Sequence, residues 1–194
     1  MTLIRVVPAT VVSYGTEATG HFGDIVQQLQ SLTDMVDQVQ FEGESAFKFR
    51  TETNRIVADF NTQVHQAMEA MVNNVQIAVS NIQSSMQGAR LTLDIPAAAT
   101  VQAANERNTE NSEMDTEALS ALDVEGPFNA ISESFNAHKT AFERVEWQGQ
   151  ARDGALDAVT NLTRQATSLC SSYSSEFRKA IDAQVTATLE ADSV

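Results

Sequence analysis

One offset organises this chain. Phe41-Glu42-Gly43 and Trp147-Gln148-Gly149 lie 106 residues apart, and the same interval relates Gly20 to Gly126, Phe22 to Phe128 and Ile25 to Ile131. It also relates Leu29 to Phe135, Val36 to Phe142 and Val39 to Val145. The chain is one unit written twice, and in each copy an apolar run leads into aromatic-x-Gly and a longer apolar run follows. A repeat of this kind settles the architecture before any motif is weighed, because each unit must bury its apolar face against its neighbour. The pattern reads as two helical hairpins in tandem.

The apolar spacing supports helices. Phe22, Ile25, Leu29, Leu32, Val36 and Val39 recur every three or four residues, the mark of one buried helical stripe. Pro8 suits a first helical position, where its missing N–H would have no partner in any case. After the Phe41-Glu42-Gly43 break a second stripe runs through Phe49, Ile56, Phe60, Val64, Ala67, Met71, Val75, Val79, Ile82 and Met86, with Gly88 as a C-terminal cap. Met68, Met71 and Met86 then fill core.

Periodicity is lost from Arg90 to about Ser112, which reads as a flexible polar and acidic linker over 90–114 between hairpins spanning 1–89 and 115–194. Glu106, Glu110, Glu113, Asp115, Glu117, Asp123 and Glu125 lie at or beyond it, a solvated stretch or, alternatively, a docking segment for a basic partner. Asp115 fits an N-cap, and Gly126-Pro127 should kink or interrupt the helix that follows. Phe128, Ile131, Phe135, Phe142 and Val145 continue that stripe to the Trp147 turn. Leu156, Val159, Leu162, Ala166, Leu169, Tyr173, Phe177, Ile181 and Val185 form the last one, with fraying expected after Leu189.

The expected fold is all-α, two hairpins packed as an antiparallel four-helix bundle. The linker bears on the direction of packing. A first helix of about 30 residues is near 45 Å long, and about 23 extended residues span some 75 Å, enough to return along the bundle.

Charge and composition exclude several function classes. A net charge of −14 with no offsetting basic stripe repels phosphate backbones, so nucleic acid is not an expected partner, and adsorption to anionic lipid is unfavourable. No segment approaches the roughly 20 apolar residues of a membrane span. The N-terminus, cut short by Pro8, makes a poor Sec signal. Cys170, the sole cysteine, falls on an apolar face and reads as a packed thiol, the alternative being an intermolecular disulfide. His65 and Glu69 have metal-ligand spacing on one helical face, but His21 and His138 fall on other helices and no third ligand converges. Without a phosphate loop, nucleophile elbow or paired Glu-x-x-His there is no case for an enzyme or a cofactor.

The residues that carry a family resemblance are the opening Ile4-x-Val6-x-Pro8, the Trp147-x-Gly149 turn, and the long amphipathic helix on either side of it. The layout resembles the WXG family of helical-hairpin proteins, the early-secreted-antigenic-target-like substrates of type VII secretion in actinobacteria and firmicutes. Members work as dimers of two hairpins, and this chain looks like such a dimer fused into one polypeptide. The resemblance implies export in the folded state from the cytoplasm, without a Sec signal, to the medium or the cell surface. It implies as partners the membrane ATPase of the secretion machine and a co-secreted protein or toxin. Trp147 and Gly149 match the turn motif, and Phe41 and Gly43 match it with Phe for Trp. The family joins that turn to a tail motif, Tyr-x-x-x-Asp/Glu. Tyr173-Ser174-Ser175-Glu176 is one residue short of it and lies inside the last stripe, so Tyr173 and Glu176 give at most a degenerate signal.

The function that follows is a non-enzymatic secreted substrate or co-secreted helper of a type VII system, a self-contained pseudo-dimer open to further oligomerisation. The alternatives are a structural or adaptor bundle unrelated to secretion, in which the turn aromatics only close the bundle ends, and a membrane-active bundle.

Overall fold

A computed structural model describes residues 4–39, 41–105 and 113–192. The fold is mostly helical, 76 % of it, with a few two-residue strands. Arg5–Val6 forms β1, and α1 runs Pro8–Asp37 with Pro8 at its first position. Phe41–Glu42 is β2, and α2 runs Glu44–Ser80. A 3-10 turn at Gln83–Met86 closes the first copy. In the second, Glu113–Met114 is β3, Thr116–Ser120 a short α3, Glu125–Glu143 α4, Trp147–Gln148 β4 and Gln150–Asp192 α5. The repeat offset survives in the boundaries: α1 and α4 end at the related residues Asp37 and Glu143, and α2 and α5 begin at Glu44 and Gln150.

Between the copies the pairing is antiparallel. On α2 and α5, Arg55 reaches Glu176 while Asp59 and Gln63, further on, meet the earlier Tyr173. On α1 and α4, Tyr14 lies against Phe142 and Phe22 against His138. Within the second copy α4 packs directly on α5, with Thr163 bonded to the Phe135 carbonyl, whereas α1 and α2 touch much less. The repeat-related residues Phe22, Ile25, Leu29, Val36, Val39 and Phe41, with Phe128, Ile131, Phe135, Phe142, Val145 and Trp147, all enter one continuous core. Met68, Met71, Met86 and Cys170 are buried in it as well. Each copy completes the other's turn: β1 pairs with β4, Val6 opposite Trp147, and β3 pairs with β2, Met114 opposite Phe41.

Several local expectations need correction. Helix α2 stops at Ser80, not near Gly88; the 3-10 turn keeps Ile82 and Met86 four apart and buried, so the apolar spacing continues where the α-helical bonding does not. The second copy breaks at Ala121–Val124, upstream of Gly126-Pro127. Pro127 sits in the first turn of α4, where the absent N–H breaks no helical bond, and the Asp123 carboxylate accepts from the Gly126 N–H at 2.9 Å. Asp115 does cap α3, accepting from Ala118 N–H at 2.8 Å. The last helix runs on to Asp192.

The expected flexible linker is in its described part, 90–105, an extended strap laid over α1 and α2. Asn61 donates to the Ala99 carbonyl and Asn54 to the Gln102 carbonyl, both at 2.8 Å, while Leu93 is buried and Leu91, Ile95, Ala99 and Val101 pack on the core. Gly15 gives the strap room, since a Cβ there would collide with the Thr92 carbonyl oxygen. Residues 106–112, Glu106 and Glu110 among them, lie outside the described residues.

Candidate functional site at the aromatic turns

The two aromatic-x-Gly turns sit at opposite ends of the helices and differ in how they are closed. Both need glycine: Gly43 has φ +102° and Gly149 φ +122°, a region a side chain makes costly. Gly149 also starts α5, its carbonyl accepting from the Arg152 and Asp153 N–H groups. Trp147 is 2 % exposed, locked between the β1 pairing and bonds from Val7 N–H to the Glu146 carbonyl and from Glu146 N–H to the Thr10 hydroxyl. Its indole Nε1 is buried with no hydrogen-bond partner. A buried donor without an acceptor costs on the order of 1–3 kcal/mol.

Phe41, 3 % exposed, occupies the related position without that cost. The Arg50 guanidinium lies 5.7 Å from its ring centroid, contacts Asp37 at 3.4 Å and donates to the Val39 carbonyl. At the Phe41 end a cation therefore stacks on the ring, and a cavity of about 170 Å³ lined by Asp37, Arg50, Asn54 and Gln102 lies beside that guanidinium. Where the first copy has Arg50, the second has Leu156. The Trp147 turn is flanked by two larger open cavities. One, about 440 Å³, is lined by Arg5, Glu146, Gln148, Arg152 and Asp153; the other, about 430 Å³, by Ile4, Asn81, Ile82, Gln150 and Ala151. Ile4 is 57 % exposed beside it.

The structure does not bring Tyr173 and Glu176 to either turn. Tyr173 lies 23 residues beyond Gln150, where α5 begins, roughly 35 Å of helix from the Trp147 turn. Its ring packs on Phe60, its hydroxyl donates to Asp59 and accepts from Gln63, and burial followed by the Asp59 carboxylate raises its pKa to about 12. Glu176 pairs at 2.8 Å with Arg55, which also holds Glu52. Both residues join α2 to α5.

Sequence reasoning missed a polar pair in the core. Tyr14 and His138, both fully buried, share a 2.8 Å bond between the phenol and Nε2. Burial, with a smaller contribution from His21, lowers the His138 pKa to about 3, and burial raises that of Tyr14. The signal available was the repeat itself, which places His138 at the position of the core residue Leu32. His65 lies 3.5 Å from Glu69, and among the described residues no three His, Cys, Asp or Glu side chains converge on a metal position. No helix among them is long and apolar enough to cross a membrane. Compared with protein families, curated proteins and solved structures, the chain matches none.

Proposed function

We propose that this chain is a non-enzymatic substrate or co-secreted helper of a type VII secretion system, a WXG-like pair fused in one polypeptide and packed as an antiparallel four-helix bundle. It acts through protein contacts, with the secretion ATPase and a co-exported protein as partners, and is cytoplasmic until export. The observation that supports this reading best is the contrast between the two turns. Trp147 keeps a buried N–H without a protein partner and cavities of about 440 and 430 Å³ on either side, while the related Phe41 has Arg50 over its ring and a smaller cavity of about 170 Å³ nearby. An indole where the related position holds phenylalanine supports a role for Trp147 beyond filling the core. Fusion also keeps the second hairpin at high effective concentration, so pairing does not depend on expression level.

A second reading, an adaptor bundle unconnected with secretion, is favoured by one observation: Tyr173 and Glu176, the degenerate tail motif, are committed to the α2–α5 interface. Comparing the culture medium of the native host with that of a strain lacking the secretion ATPase separates the two. Loss of the protein from the medium of the deletion strain is the expected result; equal amounts in both would leave the adaptor reading.

A further inference from the structure

The internal repeat allows one copy to serve as a template for the other. On the first copy the face between α1 and α2 is covered by the strap. Asp94 N–H approaches the Thr19 hydroxyl at 3.4 Å, and Asn61 and Asn54 hold the Ala99 and Gln102 carbonyls. Extended backbone bound by side-chain donors and acceptors is how a groove holds a peptide without helix or sheet.

The offset carries Phe22, Asn61, Val64, Met68 and Val72 onto Phe128, Thr167, Cys170, Ser174 and Arg178. Under the strap, Asn61, Val64, Met68 and Val72 are all buried. On the second copy Thr167 is exposed and Ser174 and Arg178 are half-buried, and a groove of about 480 Å³ runs over them between α4 and α5. Phe128 and Cys170, both buried, form its floor, and Ser132, Thr167, Ser171, Ser174 and Ser175 its walls. The Ser132 and Thr167 hydroxyls, 3.3 Å apart, stand where Asn61 grips the strap's carbonyl on the first copy. The walls are small, which leaves room for a backbone carrying small side chains, as Ala97-Ala98-Ala99 carries on the strap.

Charge narrows the occupant. Arg178 neutralises Glu125 at 3.0 Å and donates to the Ser120 and Leu122 carbonyls, and Lys179, on the same rim, has no ion-pair partner among the described residues. In a chain of net charge −14 this is a locally positive place, and it lies level with the position Asp94 takes on the first copy. From this correspondence we infer that the α4–α5 groove is a docking site for an extended, acidic segment of a partner protein, with small side chains on the hydroxyl walls and a carboxylate at Lys179. Because α4 and α5 pack together more closely than α1 and α2, the segment lies on the groove and is not wedged between the helices. The inference is independent of export.

The test uses the full chain, labelled with ¹⁵N, and a capped synthetic peptide of the strap sequence Leu91–Gln102 as a stand-in for an acidic extended segment. Saturable amide shifts at Ser132, Thr167, Ser171 and Ser174, with a Kd below about 1 mM, are expected. An Asp94→Asn peptide and a Lys179→Glu protein should each weaken binding at least threefold, and Ser174→Trp should abolish it with circular dichroism and melting temperature unchanged. Two results would overturn the inference: no saturable shift up to about 2 mM peptide, or shifts confined to the first-copy face around Thr19, Asn54 and Asn61. Binding that ignores both Lys179→Glu and Ser174→Trp would overturn it equally.

Discussion

Lowering the pH from 7 to 5 should cost this protein about 2 kcal/mol of stability through one residue, His138. Its imidazole is buried against Tyr14 and Phe22, and burial holds its pKa near 3 in the folded chain against the 6.5 of an unperturbed imidazole. The folded pKa is depressed, so the unfolded chain binds a proton first as pH falls. Stability is therefore flat above about pH 6.5, declines at about 1.4 kcal/mol per pH unit, and levels off below about pH 3, a loss of roughly 5 kcal/mol in all. That is a large part of the 5–15 kcal/mol typical of a domain. Glu44, Glu52 and Glu125, whose pKa values are lowered by Lys48, Arg55 and Arg178, lose their contribution only as pH falls below the ordinary carboxylate range. The interval from pH 7 to 5 thus separates the histidine from them. Urea unfolding followed by circular dichroism at pH 7, 6 and 5 should show the midpoint falling by about 1 M in all. In Tyr14→Phe/His138→Leu, which removes both halves of the pair and restores the repeat's own leucine, the pH 7 stability should be at or above wild type and most of the decline should vanish. An equal decline in the double variant would refute the assignment.

Other outcomes follow from the turns and the strap. Trp147→Phe should unfold within about 1 kcal/mol of wild type, since Phe41 fills the related position and the unpaired N–H is lost, whereas Trp147→Ala should cost about 3–5 kcal/mol by thermal melting. Gly149→Ala, at φ +122°, should cost roughly 1–2 kcal/mol, again measured by melting, and a change smaller than a few tenths would contradict the turn geometry. Leu93→Ala combined with Asn61→Ala should loosen the strap, so that limited proteolysis cuts within residues 90–105 well before it cuts the helices; equal cutting rates with wild type would mean that these contacts do not hold it.

What was legible in the sequence is what repeats. The stripes through Phe22 and Phe128 and the paired glycine turns follow from local rules that each copy states independently, and agreement between copies removes most ambiguity; the Asp115 cap, which the first copy lacks, follows from its own local rule. The strap was not legible because its apolar residues, Leu91, Leu93 and Ile95, alternate over too short a run and are followed by alanines. Burial there depends on the gap between α1 and α2, which no local pattern reports. The end of α2 was overrun because a 3-10 turn preserves the spacing of Ile82 and Met86 while changing the hydrogen bonding. Tyr14 and His138 are 124 residues apart, and only the pairing of α1 with α4 makes them neighbours. At the candidate site, sequence alone located both turns and favoured Trp147 as the match to the motif; the Arg50 guanidinium over Phe41 was not legible, because only the fold brings it to that ring.

Under the proposed function, the Trp147 turn is read by a secretion machine. Export of Trp147→Phe from the native host tests it most directly, with intracellular level and melting temperature matched to wild type. The variant should accumulate in the cell and be absent from the medium, as in a strain lacking the secretion ATPase. Wild-type amounts of the folded variant in the medium would contradict it.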